Sequence, residues 1–239
     1  MISILLPEKP IHSPAILTKM KENQGVIAKQ QAAGISKLIL PPIIFGTSAL
    51  GNLYQELEYS TKLRIVSECL NLSDGQVVFD SAGKYGAGLA LEELGKILKE
   101  LDADPGNVMI SNKLGWLRTP LKGSEPDFEK GVWINLQHDA VQDISYGGII
   151  KCWEQGIELL GEKYAPKLVS VHDPDEYLNA ACNTNDRKRR FQDIADAYKA
   201  LFDLKDVGSV KAVGVGAKNW QVIREICQHI NLDWVWIFA

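Results

Sequence analysis

Several features that would assign a class of protein at once are scarce or absent in this sequence. Its 239 residues include four cysteines and four histidines, and no cysteines stand at the C-x-x-C spacing typical of zinc sites. No apolar run approaches the roughly 18 residues that a membrane span requires. The apolar block at residues 2–6 has no basic residues before it, so we predict no secretory signal. We therefore predict no metal site, no membrane partner, and reduced thiols in a cytoplasmic setting.

Charge and glycine patterns exclude two further classes. A formal net charge of −4, with both signs spread along the chain, lacks the basic footprint of a nucleic-acid-binding protein. The densest basic run, residues 187–190, lies between Asp186 and Asp193, which favours a solvated helix face. The G-x-G-x-x-G fingerprint of Rossmann domains is missing after the early apolar segments. Residues 214–216 (Gly-Val-Gly) match it weakly and lie late in the chain.

The sequence does contain a regular alternation of apolar segments and amphipathic helical patterns. Strands are predicted at residues 43–45, 77–79, 108–111, 168–171, 210–215 and 234–238. Helices are predicted at residues 61–72, 89–101, 149–160, 187–204 and 222–230. Continuously apolar strands that alternate with amphipathic helices indicate an α/β fold with a parallel sheet covered by helices.

A (β/α)8 barrel, also called a TIM barrel, fits this alternation better than an open doubly wound sheet. Polar residues recur at the carboxyl ends of the first four strands, which is where such barrels carry their chemistry. A closed barrel needs eight strands, and the sequence predicts six. Residues 41–239 are therefore predicted to form an incomplete barrel, truncated after its sixth strand. Residues 1–40 are predicted to be an N-terminal extension, with a helix that starts at Ser13-Pro14.

Four of the polar residues at these strand ends could together transfer a proton. Asp80 and Tyr85 follow the second strand, Lys113 the third and His172 the fourth. A lysine beside a tyrosine stabilises the phenolate, so we expect Lys113 to lower the pKa of Tyr85. Each residue alone is more often structural, but their conjunction on one sheet favours a catalytic site. None of them donates hydride, so a nicotinamide cofactor is required.

The motifs that carry these residues resemble the aldo-keto reductase pattern over about residues 38–239. In order, they are Gly46-Thr47, Asp80-Ser81-Ala82-x-x-Tyr85-Gly86, Ser111-Asn112-Lys113 and Val171-His172-Asp173. The resemblance implies a (β/α)8 barrel that binds NAD or NADP without a Rossmann motif. It implies a catalytic tetrad of Asp80, Tyr85, Lys113 and His172. It also implies cofactor contacts from Gly46, Thr47, Asp80 and Asn219, the last in place of the usual Ser-Asn pair after strand five.

Two further blocks resemble the aldose dehydrogenase branch of that family, the L-fucose, D-threo-aldose and L-galactose dehydrogenase type. These blocks are residues 143–148 and 172–175. The resemblance implies oxidation of a sugar at its anomeric carbon to a lactone, with Tyr85 as the base. The choice between NAD and NADP stays open, because the family's adenosine-phosphate contacts follow strands seven and eight.

Other interpretations remain open at this point. Residues 114–145 form either a lid over the substrate or a surface insertion, and their aromatic residues favour the lid. Lys113 could instead be the nucleophile of a Schiff-base lyase, or the barrel could be a non-catalytic binding subunit. The predicted partner is a small carbonyl or sugar molecule. The oligomeric state is not predicted.

Overall fold

The computed structural model describes residues 38–73 and 75–237, and the predicted helix at Ser13-Pro14 lies outside them. The strands in the described part are β1 (Phe45–Gly46), β2 (Val77–Ala82), β3 (Val108–Leu114), β4 (Trp116–Pro120), β5 (His138–Gln142), β6 (Leu168–His172), β7 (Ala212–Ala217) and β8 (Trp234–Ile237). The α-helices there are α1 (Tyr59–Asn71), α2 (Leu89–Glu100), α3 (Tyr146–Leu160), α4 (Pro174–Asn179), α5 (Thr184–Asp206) and α6 (Trp220–His229). None of these helices has the length and apolar character needed to cross a membrane.

Six of the strands form one parallel sheet in the order β1-β2-β3-β6-β7-β8. Each strand pairs with the next strand of this set along the chain, and the order never reverses. A doubly wound sheet would reverse its strand order at a switch point. The predicted α/β class, with six strands in the sequence of a (β/α)8 barrel, is therefore confirmed.

The two faces of the sheet have different surroundings, and β2 illustrates the difference. Val77 and Phe79 pack in a cluster with α1 and α2. Val78 points the other way and packs with Met109 and Leu168, because successive side chains of a strand alternate in direction. Asp80 lies two residues after Val78, so its side chain belongs to this inner face.

The part of the inner face at the amino ends of the strands is filled by apolar side chains. Leu38, Leu40 and Trp234 contribute to the same cluster as Val78. The ring of Trp234 lies against β7 at Gly214, where an added Cβ would be 2.0 Å from a ring carbon. The absence of a side chain at residue 214 therefore allows the indole to cross β7.

Residues 114–145 contain regular structure that the sequence did not predict. Strands β4 and β5 pair in antiparallel fashion, with Trp116 opposite Gln142. A helix, α4, was missed as well. The β4–β5 pairing was not readable because its partners are separated by residues 121–137, whereas local hairpins have short turn signals.

Candidate active site

Asp80 and Lys113 form a buried ion pair on the inner face of the sheet. The Lys113 side chain is fully buried, and its ammonium donates a hydrogen bond to Oδ2 of Asp80. Burial lowers the pKa of Lys113, but the interactions with Asp80 and Tyr85 outweigh burial and leave the pKa above its ordinary value. Burial raises the pKa of Asp80, and Lys113 opposes that shift. Lys113 is therefore a protonated ammonium at neutral pH.

The two residues lie within their strands, not after them as the sequence predicted. Strand β2 continues to Ala82 and β3 continues to Leu114. Ala82 is paired with Lys113 in the backbone register. The ladder continues because the two polar side chains meet each other on the inner face and do not disturb backbone pairing.

Tyr85 follows β2 in a tight loop whose shape depends on glycine. The backbones of Gly51 and Gly86 approach so closely that a Cβ on Gly86 would lie 2.4 Å from the carbonyl oxygen of Gly51. Gly86 also has a φ of +62°, which glycine adopts without steric cost. The glycine after Tyr85 is thus required by the contact between the two loops.

The phenol of Tyr85 contacts both Lys113 and His172. The Lys113 nitrogen is 4.7 Å from the ring centroid, close enough for its charge to act on the pKa of Tyr85. The imidazole of His172 meets the phenol ring edge-on, with centroids 5.6 Å apart and planes at 87°. The fold thus brings the four residues of the predicted tetrad together.

The net pKa shift of Tyr85 differs from the expectation. Burial raises the pKa of Tyr85, Lys113 lowers it and Asp80 raises it, and the net shift is upward. The effect of Lys113 has the predicted sign. The predicted lowering is wrong for the net shift, because loss of hydration outweighs the neighbouring ammonium.

His172 is a buried, neutral imidazole at the end of β6. Its pKa is well below its ordinary value because of burial and, next, the positive charges of Lys113, Lys84 and Lys218. Its Nε2 lies 3.5 Å from Oδ2 of Asp173. Its Nδ1 is buried and has no hydrogen-bond partner among the described residues. A neutral imidazole can donate one hydrogen bond to a substrate oxygen.

Tyr85 and His172 open onto a cavity of about 230 Å³. Leu53, Tyr54, Val132 and Trp133 supply its apolar walls, and the other lining residues are Ser48, Lys84, Glu129, Asp173 and Lys218. Asp80 and Lys113 do not line the cavity and lie behind Tyr85. Among the described residues, no group of three or more His, Cys, Asp or Glu side chains could hold a metal ion.

Two of the predicted cofactor residues lie at the end of β1, beside Asp80. Gly46 is the register partner of Asp80, and a Cβ at Gly46 would meet no atom within 4 Å. Thr47 is buried, and both its backbone N–H and its hydroxyl donate to the carbonyl oxygen of Asp80, each at 3.0 Å. Gly46 therefore leaves open space above β1, while Thr47 fastens β1 to β2.

Asn219, the predicted nicotinamide contact, has a structural role as well. Its side-chain oxygen accepts hydrogen bonds from the backbone N–H groups of Gln221 and Val222, at 2.9 and 3.4 Å, and so caps α6. The buried carboxylate of Asp175 accepts from the backbone N–H groups of Lys218 and Asn219, at 3.1 and 2.8 Å. Asp175 thus holds the turn that carries Asn219. Asn219 itself is not among the residues that line the cavity.

Among the other residues that line the cavity, Trp133 is one of the aromatic residues that favoured a lid at residues 114–145, whereas Lys84, Glu129 and Asp173 were given no role from the sequence. Lys84 lies inside the motif that contains Tyr85, and Asp173 follows His172, so their positions in those motifs were a usable signal. Glu129 and Trp133 come from the β4–β5 connection, where the aromatic residues were a usable signal and Glu129 had none. Their place beside Tyr85 depends on the antiparallel pairing of β4 with β5.

Comparison with known proteins decides the family. Residues 42–237 match the model of the aldo/keto reductase family. The chain belongs to this family. Its curated relatives include pyridoxal 4-dehydrogenase from Microbacterium luteolum, 26% identical over 214 residues, and D-threo-aldose 1-dehydrogenase from Pseudomonas sp., 25% identical over 214 residues. These matches cover 86% and 87% of this aldo/keto reductase chain.

Solved structures support the same fold. An aldo-keto reductase from Bacillus halodurans in its holo form matches with a TM-score of 0.59 and 21% identity, over 86% of this chain and 56% of that one. Glycerol dehydrogenase from Gluconobacter oxydans matches with a TM-score of 0.55 and 18% identity, over 84% and 53%. The chain spans 60% and 59% of the length of its two curated relatives.

Proposed function

We propose that this chain carries the reaction centre of an NAD- or NADP-dependent oxidoreductase that acts on a carbonyl or sugar substrate. The observation that supports the proposal is the contact of the Tyr85 phenol with both Lys113 and His172 beside one cavity. A nicotinamide bound here supplies the acceptor or donor of the hydride. Gly46, Thr47, Asp80 and Asn219 are proposed to hold it, and the open space at Gly46 fits a flat ring at the end of β1.

Each member of the tetrad has a distinct proposed role. In the oxidation direction Tyr85, in its phenolate form, accepts the proton of the substrate hydroxyl while hydride leaves the carbon that bears this hydroxyl, and a C=O bond forms. Because the pKa of Tyr85 is raised, oxidation through the phenolate is favoured at alkaline pH. Lys113 stabilises the phenolate, and Asp80 holds Lys113 in place. Neutral His172 donates a hydrogen bond to the reacting oxygen. In the reduction direction Tyr85 returns the proton.

The proposed substrate is an aldose that is oxidised at its anomeric carbon to a lactone. The name of one relative, D-threo-aldose 1-dehydrogenase, supports this class. The indole of Trp133, whose centroid is 5.9 Å from that of Tyr85, offers a flat apolar wall for a sugar ring. Residues 143–148 lend no support, because Ser145 caps α3 and donates to Asp143, which is a structural role.

The two alternative functions fit the site less well. A Schiff-base lysine must be an accessible neutral amine, whereas Lys113 is fully buried and ion-paired, and its pKa is raised. A binding subunit has no need of a tyrosine held against an ammonium and an imidazole. The contacts of Tyr85 therefore favour the oxidoreductase.

The test is an oxidation assay on protein expressed from the whole reading frame, with formation of NADH or NADPH followed at 340 nm. The panel contains L-fucose, L-galactose, a D-threo-aldose, pyridoxal, simple alcohols and, in the reverse direction, aliphatic aldehydes. Aldoses should be turned over fastest, and Tyr85→Phe should abolish turnover with cofactor affinity retained. Faster turnover of aliphatic aldehydes than of every aldose would reject the sugar assignment. Full activity of Tyr85→Phe would reject the mechanism.

A further inference from the structure

Lys84 is a buried cation beside Tyr85 that has no part in the proposed chemistry. Its side chain is 7% exposed, although a lysine is almost never fully buried unless it is paired. Its ammonium lies 2.8 Å from Oε1 of Glu129, 3.5 Å from Oδ2 of Asp173 and 3.6 Å from Oε2 of Glu176. The three carboxylates come from three parts of the chain: the β4–β5 connection, the turn after β6, and α4. Lys84 therefore cross-links elements that meet at the cavity.

The charge of Lys84 is fully engaged by these carboxylates. Burial lowers the pKa of Lys84, but Glu129, Asp173 and Glu176 outweigh burial, and the pKa lies above its ordinary value. The ammonium is thus permanent at neutral pH and matched by neighbouring carboxylates. A lysine at the mouth of such a cavity would ordinarily suggest an anion-binding group. Here the paired geometry assigns it to holding protein segments together.

One of these segments covers the cavity, and we call residues 128–136 the roof segment. Within it, Nε1 of Trp133 donates a hydrogen bond to Oε2 of Glu129 at 2.6 Å. Glu129 thus accepts from Trp133 with one oxygen and pairs with Lys84 through the other. The indole of Trp133 faces Tyr85 at 5.9 Å and stacks on Phe128 at 6.4 Å. The position of the indole over Tyr85 is consequently coupled to Lys84.

The opposite side of the roof segment is fixed by backbone hydrogen bonds. The N–H of Ile134 donates to the carbonyl of Asn52 at 3.0 Å, and the N–H of Tyr54 donates to the carbonyl of Val132 at 2.8 Å. These two bonds fix the backbone of the roof segment to residues 52–54. The pairing of Lys84 with Glu129 holds the side that lies nearest to Asp173 and His172.

We propose that Lys84 is a positioning and specificity-determining residue. By joining Glu129 of the roof segment to Asp173 beside His172, it fixes the indole of Trp133 above Tyr85 and sets the width of the cavity. The charges of Lys84 and of Lys218, the other lysine that lines the cavity, are matched by Glu129, Asp173 and Glu176. The cavity therefore takes uncharged, ring-sized hydroxylated substrates in preference to anionic ones. The substrate part rests on the proposed function, whereas the positioning part does not.

Hydrogen exchange measured by mass spectrometry tests the positioning part without any assay of activity. The variants are Lys84→Met, which keeps the length of the stem, Glu129→Gln, and the double variant. Lys130→Met is the matched control, because Lys130 lies on the same segment but is 62% exposed and paired with Asp127. Lys84→Met and Glu129→Gln should each speed exchange of residues 128–136 at least about tenfold, which corresponds to about 1.4 kcal/mol of opening free energy.

The pattern across the variants decides the outcome. The double variant should exchange no faster than the faster single variant, because both substitutions remove the same interaction, the pair between Lys84 and Glu129. Lys130→Met should leave the segment unchanged. Unchanged exchange in both single variants, or an equal increase throughout the chain in Glu129→Gln, would overturn the proposal. If Lys84→Met fails to fold, Glu129→Gln decides alone, since Lys84 then keeps Asp173 and Glu176 as partners.

Kinetics on the whole protein test the specificity part. In Lys84→Met, the KM for the best aldose should rise at least about tenfold, with a much smaller change in kcat. The KM for a small aldehyde should rise less. A sugar carboxylate or sugar phosphate should be a poor substrate of the parent protein. An unchanged ratio between aldose and small aldehyde would reject this part. Inactivity of the parent protein on every substrate would reject the proposed function and leave the exchange result to decide the role of Lys84.

Discussion

The ammonium of Lys113 lies 4.7 Å from the ring centroid of Tyr85 and donates a hydrogen bond to Asp80. The pKa of Tyr85 is therefore set by two opposite charges together with burial. We predict that Tyr85 titrates above the ordinary value of about 10, because burial raises its pKa most. Absorbance at 295 nm, taken as the difference between the parent protein and Tyr85→Phe, measures this titration.

Two substitutions should move this pKa in opposite directions. Asp80→Asn removes a negative charge and should lower it, whereas Lys113→Met removes a positive charge and should raise it. Equal shifts of the same sign in both variants would contradict this electrostatic account of the site.

Stability should depend strongly on the carboxylate of Asp80. Asp80→Asn leaves the fully buried ammonium of Lys113 without its anionic partner, and removal of one member of a buried pair costs about 3–5 kcal/mol. Urea unfolding measures the loss. Asp102→Asn is the control, because it breaks the exposed pair with Lys163 and should change the free energy of unfolding far less. Equal losses in the two variants would show that the Asp80–Lys113 pair is not specially stabilising.

His172 should make the protein less stable in mild acid. Its pKa in the folded state is far below its ordinary value, so the unfolded chain takes up a proton first as the pH falls. Stability is then present above the unfolded-state pKa of about 6.5 and is lost below it, by about 1.4 kcal/mol at one pH unit lower. Urea midpoints at pH 7.5 and 5.5 check this. His172→Gln, which cannot titrate, should lose less stability than the parent protein over the same interval.

The indole of Trp234 makes Gly214 a sensitive position. In Gly214→Ala the new Cβ would lie 2.0 Å from the ring, and such overpacking costs about 1–3 kcal/mol. A lower melting temperature is expected, with partial recovery when Trp234→Leu is added. In the control, Gly147→Ala on α3, the Cβ meets no atom within 4 Å, and a gain of up to about 1 kcal/mol is expected. A loss in the control as large as in Gly214→Ala would point to a general intolerance of larger side chains.

The parallel sheet could be predicted because its signals are local. Runs such as residues 77–79 and 108–110 are apolar throughout, and an amphipathic helical pattern follows each of them further along the chain. Asp80 and Lys113 could be assigned to one edge for the same reason, since neighbouring parallel strands bring their carboxyl ends together. That the two residues lie inside their strands could not be predicted, because the point where strand pairing ends depends on whether polar side chains find partners on the neighbouring strand.

The aromatic residues of 114–145 favoured a lid, but the contacts that hold the roof segment beside Tyr85 could not be predicted, because the partners are distant along the chain. Nothing near Lys84 in the sequence indicates that Glu129 and Asp173 are its partners. The predicted lowering of the Tyr85 pKa was wrong for a related reason. The sequence indicates which charge is near the phenol, but not how much hydration the phenol loses on burial. Asn219 is a different case, since an asparagine directly before a helical pattern is a signal for an N-cap that could have been read locally.

The order of strands in the parallel sheet has a consequence for synthesis on the ribosome. Val77 pairs with Val108, and Leu168 pairs with Ala212, so each strand that emerges finds its partner already made. No later strand has to insert between two earlier ones. At about 5–20 residues per second, a nascent strand waits only seconds for the next one. The growing sheet thus exposes its newest edge briefly, and each βα unit can dock before the following one has left the exit tunnel.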